Sequence, residues 1–198
     1  MRTVILLIFI LSYVLCGTVS STESILIPEI CVYFDTELNT CNYDEIPQDI
    51  VVLYFITDYH GGLTSVEFKC DISATSGWFH LSDNSPFTDK VGNYHNGTII
   101  NIGACYAGWI YLGCAIFQIP DPTESSDCAY LVLKNHPSGS YSGTDYPVGY
   151  DCSDPPNIRL LDTRPSIVNP VPGVCYCERC CPVPIEESSW GQIKSLYQ

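Results

Sequence analysis

Basic residues are scarce in this chain: 8 lysines and arginines stand against 22 aspartates and glutamates, a formal net charge of −14. Binding to nucleic acid or to an anionic membrane surface depends on positive charge, so this balance argues against both as partners. Methionine occurs once, whereas glycine, proline and tyrosine occur 14 times each. This abundance of turn-forming and β-favouring residues indicates an all-β domain with many turns.

Long hydrophobic runs are also missing after the N-terminus. Arg2 precedes an apolar run over residues 4–15 and small residues at 17–21, which is the pattern of a signal peptide cut near Ser20 or Ser21. Cys16 suggests lipid attachment instead, but Leu15 stands where that reaction normally needs a small residue. We therefore predict a signal peptide at residues 1–20, no transmembrane segment after its removal, and a location in the periplasm, at the cell surface or outside the cell.

The chain lacks a complete catalytic motif. Residues 139–143 read GSYSG, with Tyr141 where a nucleophile elbow requires serine. His60-Gly61-Gly62 hints at an oxyanion loop but is better explained as a hairpin turn. We therefore expect a protein that is not an enzyme, with no catalytic residue and no cofactor.

Cysteine, by contrast, is abundant, with 12 residues, 11 of them beyond the predicted signal peptide. This number in an exported chain indicates a disulfide framework with one cysteine left over. Loop closure suggests two pairs, Cys31–Cys41 and Cys105–Cys114. The disulfide candidates are Cys31, Cys41, Cys70, Cys105, Cys114, Cys128, Cys152, Cys175, Cys177, Cys180 and Cys181.

Residues 50–70 organise the predicted domain. Residues 50–56 are β-branched and aromatic without a charge, as in a strand buried on both faces, and residues 63–70 alternate apolar with polar. The polar stretch 57–62 between them predicts a turn. We expect two neighbouring strands at the centre of a β-sandwich.

Shorter strand patterns and turn signals follow at the spacing typical of sandwiches. They predict a disulfide-stabilised β-sandwich of about eight or nine strands over residues 21–170. The other predicted strands are 30–35, 77–81, 97–103, 109–119, 128–134, 158–162 and 166–169, with loops at 82–95 and 136–156.

The C-terminal part has a different composition. Residues 171–185 form a predicted linker rich in cysteine and proline, and 186–198 form an amphipathic tail. Trp190, Ile193 and Tyr197 are spaced three and four apart, as on one face of a short helix, with acidic residues before them and Lys194 after them. These three residues are our first binding candidates.

Several side chains suggest ligands. Asp83, Asn84 and Asp89, or Asp151, Asp154 and Asn157, could offer oxygens to calcium, although solvated turn residues are the simpler interpretation. The four clustered cysteines at 175–181 could hold zinc, although an oxidising compartment favours disulfides. Aromatic side chains could stack on carbohydrate, although core packing is the commoner role. These aromatic residues are Trp78, Trp109, Tyr141, Tyr146 and Tyr150.

Four features carry a resemblance to other proteins: Val32-Tyr33-Phe34-Asp35 followed by a cysteine, the central strand pair, the late cysteine-rich patch and the ending EESSWGQIKSLY at 186–197. In these the chain resembles a group of uncharacterised secreted bacterial proteins. Their domain looks like a cohesin-like or immunoglobulin-like sandwich, which the resemblance implies here. It implies no established activity, and no functional residue is transferred. A similar tail on different exported proteins suggests a sorting or docking signal.

Together these features predict a non-enzymatic secreted or cell-surface module for adhesion, assembly or ligand binding. Its tail would dock on a protein or surface component. One alternative is a carbohydrate-binding module or glycan-active secreted protein that uses Trp78, Trp109 and the tyrosine-rich loop. Another is a metal-binding protein centred on the C-terminal cysteine cluster.

Overall fold

The computed structural model describes residues 27–46, 49–72, 75, 77–120, 127–172, 174, 175 and 177. Over these residues the chain forms eleven β-strands and no helix. The strand number exceeds the prediction because β2, β5, β8 and β10 were not predicted as separate strands, which outweighs the merging of two predicted pairs into β3 and β6. The strands are β1 Glu29–Tyr33, β2 Asn42–Tyr43, β3 Ile50–Asp71, β4 Phe79–Asn84, β5 Lys90–Asn93, β6 Gly97–Gln118, β7 Ala129–Lys134, β8 Val148–Asp151, β9 Ile158–Leu160, β10 Asp162–Thr163 and β11 Ser166–Val168.

Two strands of 22 residues each, β3 and β6, form the middle of the structure. They pair antiparallel from Ile50 opposite Gln118 to Phe68 opposite Thr98. The predicted hairpin at His60-Gly61-Gly62 is therefore wrong, and so is the division of β6 into two strands. The chain continues through a register shift between Tyr59 and Leu63. Gly62 has a φ of 80° there, so the glycine that suggested a turn forms a β-bulge instead.

Each half of the β3–β6 ladder has its own neighbours. The first half of β3 borders β1, which pairs in parallel with β10. The second half borders β8 and then β9, and its last three residues pair with β7. Strands β4 and β5 pair with the other edge of β6. A separate ladder joins β7, β11 and β2.

The main core lies between these layers. Phe55, Phe68 and Tyr94 pack ring against ring, with 4.5 Å between the centroids of Phe55 and Tyr94. Leu131 on β7 and Val168 on β11 belong to the same buried cluster. Because strands from both ladders share one core, the predicted all-β, disulfide-stabilised sandwich is confirmed.

A second, smaller cluster lies on the opposite face of β1, β3 and β6, which we call the outer face. Cys31, Tyr33, Leu38 and Ile56 are buried in it, and Trp109 packs against them half-buried. Cys31 and Tyr33 alternate with Ile30 and Val32 of the main core, as the side chains of a strand do.

Three disulfides join cysteines of the described residues: Cys41–Cys177, Cys105–Cys152 and Cys128–Cys175. The predicted pairs Cys31–Cys41 and Cys105–Cys114 are therefore wrong. Cys41 bonds a residue 136 positions away, because the part of the chain that contains Cys177 lies against the β1–β2 connection. Cys31 is disulfide-bonded as well.

Two disulfide candidates are instead buried free thiols in the described part of the chain, Cys70 and Cys114. Cys70 packs in the main core at 0% exposure, and this burial raises the pKa of its thiol well above the ordinary value. Cys114 lies on β6 between Tyr54 and Asn84, away from Cys105 across the bulge. The sulfur of Cys70 therefore serves as a small apolar group, whereas the thiol of Cys114 is hydrogen-bonded with Tyr111 and with the backbone of Asn84.

Several predictions fall outside the described residues: the signal peptide at 1–20, the tail at 186–198 with Trp190, Ile193 and Tyr197, and Cys180 and Cys181. Among the described residues there is no helix with the length and apolar character needed to cross a membrane.

Candidate functional site

Three adjacent strands place large apolar side chains on the outer face at one end of the sheet. Ile50 on β3 and Phe79 on β4 both lie opposite Gln118 on β6, so the three residues form one row. Residues directly opposite each other in an antiparallel ladder point to the same face. The side chains of Ile50 and Phe79 are 56% and 61% exposed, so the row presents two large apolar groups to solvent.

The next row on the same face extends this surface. Val52 and Ile116 are half-buried and lie opposite each other, with Ser82 beside Ile116. Leu81 occupies the register shift between His80 and Ser82 and is 50% exposed. We call Ile50, Val52, Phe79, Leu81 and Ile116 the outer-face patch. Its register partners Gln118 and Ser82 are polar but uncharged, and Gln118 lies between Ile50 and Phe79 in the first row.

The position of the patch in the sheet makes it accessible. In the described part of the chain β4 pairs only with β6, so the patch reaches the edge of the sheet. The following row contains Tyr54 and Cys114, which lead to the second buried cluster. The patch is thus the exposed end of an apolar face whose other end is covered.

The inner side of β4 carries a closed polar network. One carboxylate oxygen of Asp83 accepts hydrogen bonds from Lys90 Nζ at 2.9 Å and from the Tyr94 backbone N–H at 3.0 Å. The other oxygen lies 2.6 Å from His80 Nε2. Asp89 faces elsewhere and accepts Asn101 Nδ2 at 2.7 Å. The structure therefore does not assemble the predicted calcium group at Asp83, because the carboxylate ties β4 to β5.

The second predicted calcium group is a closed carboxylate turn. Asp151 accepts the backbone N–H groups of Ser153 and Asn157 at 3.0 and 2.9 Å, and Arg159 Nε and Nη2 at 2.9 and 2.6 Å. Burial raises the pKa of Asp151, but the hydrogen bonds from Ser153, Asn157 and Arg159 outweigh it and hold that pKa well below its usual range. Asp154 is exposed and outside this network. Over the described ranges, no group of three or more His, Cys, Asp or Glu side chains is arranged to hold a metal ion.

The aromatic side chains considered for carbohydrate binding differ in their exposure. Trp78 is 5% exposed, donates Nε1–H to Glu45 Oε1 at 2.6 Å and packs against Phe117, so it offers no stacking surface. Trp109 is half-buried against the second cluster. Of the three loop tyrosines, Tyr150 is half-buried, while Tyr141 and Tyr146 are 38% and 52% exposed.

The bulge of β3 forms a corner that sequence reasoning missed. The Cys105–Cys152 disulfide joins β6 to the end of β8 across the strand between them. A Cβ added at Gly62 would lie 2.7 Å from both sulfurs, so only glycine fits beneath the bridge. The pair Gly61-Gly62 was a sequence signal for an unusual backbone conformation, but no nearby residue indicated that a disulfide would lie over Gly62.

The patch was also missed, although part of its signal was present. Phe79 and Leu81 alternate with His80, which predicts one apolar face, and Ile50 opens an apolar run. Local sequence does not state that β4 and β3 lie on either side of β6. That register places Ile50 and Phe79 in one row, on either side of Gln118.

Fold and site together define a class: a disulfide-bonded β-sandwich with an exposed apolar sheet face. No protein-family model and no curated relative matches the chain. Among solved structures, the chain is similar to a type II cohesin domain from the cellulosome of Acetivibrio cellulolyticus, with 9% identity and a TM-score of 0.47 over 72% of this chain and 95% of that one. It is also similar to the third cohesin ScaC of that organism, solved in complex with the ScaB dockerin, with 10% identity and a TM-score of 0.41 over 72% and 99% of the two chains. At this identity, neither comparison says what this chain binds.

Proposed function

We propose that this chain is a non-enzymatic, extracytoplasmic β-sandwich module that binds a protein partner through the outer-face patch. The observation that carries the proposal is the row of Ile50 and Phe79, whose large side chains are more than half exposed. Several large apolar side chains exposed on one face of a folded domain are typical of a protein interface. Burying the exposed part of one such side chain on a partner contributes about 1–2 kcal/mol, so this patch can act as an anchor.

The disulfides support a location outside the cytoplasm. Bridges of this kind persist in oxidising compartments and are rare where thiols are kept reduced. The three described pairs fasten loops and the C-terminal end of the domain to the sandwich. The N-terminal signal pattern points to the same compartments, the periplasm, the cell surface or the exterior.

The described polar clusters support a binding role over catalysis. The carboxylates of Asp83 and Asp151 are both saturated by groups of the same chain. A general acid or base must present its oxygen to a substrate within hydrogen-bond reach. In these two clusters the oxygens hold strands and a turn instead.

The tail remains part of the proposal as a second attachment. Its acidic start and the spacing of Trp190, Ile193 and Tyr197 suit docking on a protein or surface component. Deleting residues 186–198 distinguishes the role of the tail from that of the patch. Retention at the cell surface would fall if the tail anchors the chain, whereas the contacts made by the patch would persist.

Site-specific photocrosslinking tests the patch. A benzophenone amino acid at position 79 or 81, in protein returned to its native host, should give one adduct with the same partner at both positions. The matched control is position 158, where Ile158 is also exposed, at 42%, but lies on β9. An I50S/F79S variant should lose the adduct formed at position 81.

Equal adducts from positions 79 and 158, or an adduct that survives in I50S/F79S, would reject the patch as the interface. A glycan array tests the alternative, a carbohydrate-binding module. Binding that is lost on Tyr141→Ala and Tyr146→Ala but kept in I50S/F79S would replace the protein partner with a carbohydrate.

A further inference from the structure

A short segment of β6 projects from the sheet. A register shift in the β3–β6 ladder leaves residues 102–105 opposite Thr64 alone, and such extra residues bend a strand out of its ladder. Residues 103–107 are all exposed, and we call them the projecting segment. Gly103 begins it and Gly108 follows it, with φ values of 82° and 85°, and nothing lies within 4 Å of a Cβ added at either glycine. Both ends of the segment therefore have the backbone freedom and the open space that a hinge needs.

The Cys105–Cys152 disulfide is a covalent tie between the projecting segment and the end of β8. It starts from the middle of the segment and passes over Gly62 of β3. Among the six cysteines of the three described bridges, Cys105 alone is exposed, and Cys152 is half-buried. Thiol–disulfide exchange depends on the access of a thiolate to the sulfur that it attacks. Of these six sulfurs, that of Cys105 is therefore the one that an external thiol can reach most readily.

The free thiols of the described residues do not supply that attack. Cys70 is 0% exposed and Cys114 is 9% exposed. Burial raises the pKa of both thiols, which keeps them protonated, whereas the thiolate is the nucleophile in exchange. The bridge is therefore stable towards these two thiols and open to a thiol from outside the domain.

We propose that Cys105–Cys152 is a thiol-exchange site that controls the projecting segment. The thiolate of an external thiol attacks Cys105 Sγ, and a mixed disulfide forms there as the bond to Cys152 breaks. The electron pair leaves on Cys152 Sγ, which takes up a proton. A second external thiolate then attacks the mixed disulfide, is oxidised to the external disulfide and leaves Cys105 as a thiol. The segment has then lost its covalent tie to β8 and can turn about Gly103 and Gly108. This proposal does not depend on the proposed function.

Reduced glutathione is the probe for the exchange step. The full chain, secreted through an oxidising compartment, is incubated with rising concentrations of reduced glutathione, and N-ethylmaleimide then stops the exchange by blocking free thiols. Peptide mapping by mass spectrometry locates both groups. We expect glutathione on Cys105 and N-ethylmaleimide on Cys152, while Cys41–Cys177 and Cys128–Cys175 remain intact.

Limited digestion with chymotrypsin measures the release of the segment. Cleavage after Tyr106 should become faster in the glutathione-treated protein, because a protease cuts a segment that has opened away from the fold. Tyr130 on β7 is the matched control, since it is 42% exposed against 52% for Tyr106 and lies on another strand, and cleavage after it should not change. C105S/C152S should be cut after Tyr106 as fast as the treated wild type, without glutathione.

Two kinds of result would overturn the proposal. Glutathione on Cys152 instead of Cys105, earlier opening of another described bridge, or a bridge that opens only when the whole domain unfolds would exclude the exchange site. Unchanged cleavage after Tyr106 once the bridge is open would show that the bridge does not control the segment. Should C105S/C152S fail to fold, the treated wild type decides this second point by itself.

Discussion

At the scale of single residues, Gly62 couples the bulge to a disulfide. Its φ of 80° is unfavourable for other residues, and a Cβ would meet Cys105 Sγ and Cys152 Sγ at 2.7 Å. We expect Gly62→Ala to lower the free energy of unfolding by about 2–4 kcal/mol, the sum of left-handed strain and overpacking. Urea unfolding of the oxidised wild type and the oxidised variant measures this difference in free energy.

The chain offers a matched control for this substitution. Gly103 and Gly108 have φ values of 82° and 85°, and nothing lies within 4 Å of a Cβ added at either. Alanine there introduces the strain without the collision, about 1–2 kcal/mol. Equal losses at positions 62 and 103 would mean that contact with the disulfide does not matter.

The stabilising effect of Asp151 should depend on pH. Its folded-state pKa lies below the ordinary value of 3.8, because Ser153, Asn157 and Arg159 favour the carboxylate. A lowered folded-state pKa means that the stabilisation is fully present above the ordinary pKa and is lost as the pH falls through the folded-state value. We expect Asp151→Asn to lower the free energy of unfolding by about 1.5–3 kcal/mol at pH 7, the size of hydrogen bonds to a charged group.

Urea titrations of wild type and Asp151→Asn from pH 7 downward test this sign. The difference between the two proteins should hold to about pH 5 and then shrink as the pH falls below the ordinary carboxyl value. Asp154→Asn, in the same turn but exposed, is the control and should change little. A difference that grows on acidification would contradict the assigned role of Asp151.

At the scale of elements, strand patterns and strand connections differ in how far local sequence predicts them. Residues 50–56 and 63–70 were correctly predicted as strand because an apolar β-branched run and an alternating pattern are local signals. The prediction that residues 50–56 are buried on both faces is wrong, because Ile50 is exposed and Val52 and Tyr54 are half-buried. Whether Gly61 and Gly62 reverse the chain or form a bulge is decided by strands elsewhere, since β6 continues past the same point. Cysteine pairing failed for the same reason: Cys41 and Cys177 are distant in sequence, and only the folded sheet brings them together.

The three described disulfides differ in accessibility, which predicts the order in which they open. Cys105 is exposed, whereas Cys41 and Cys175 in the other two bridges are buried. Exchange requires a thiolate to reach a sulfur, so Cys105–Cys152 should be reduced first as the concentration of dithiothreitol rises. Peptide mapping after differential alkylation should find the first label on Cys105 and Cys152. Earlier labelling of Cys41 and Cys177 would show that exposure does not set the order.

At the scale of the whole molecule, the candidate site depends on long-range register more than the fold class does. Composition and strand spacing are summed over many residues and predicted the sandwich despite local errors. The interface needs Ile50 and Phe79 on either side of Gln118, and their positions are fixed by separate pairings with that residue. Trp78 was therefore predicted as a binding residue although the fold buries it, while the patch consists of residues at strand ends.

The patch and the core behind it should respond differently to substitution, because only the core stabilises the fold. Phe117 is buried at 0% exposure and adjoins Gln118, so Phe117→Ala should cost about 3–5 kcal/mol. Phe79→Ser and Ile50→Ser together should change the free energy of unfolding by no more than about 1 kcal/mol, since both side chains are more than half exposed in the folded domain. The same double variant should bind less of a hydrophobic dye such as bis-ANS in its folded state. If it instead unfolded as readily as Phe117→Ala, the two side chains would belong to the core, and the surface proposed to hold a partner would not exist.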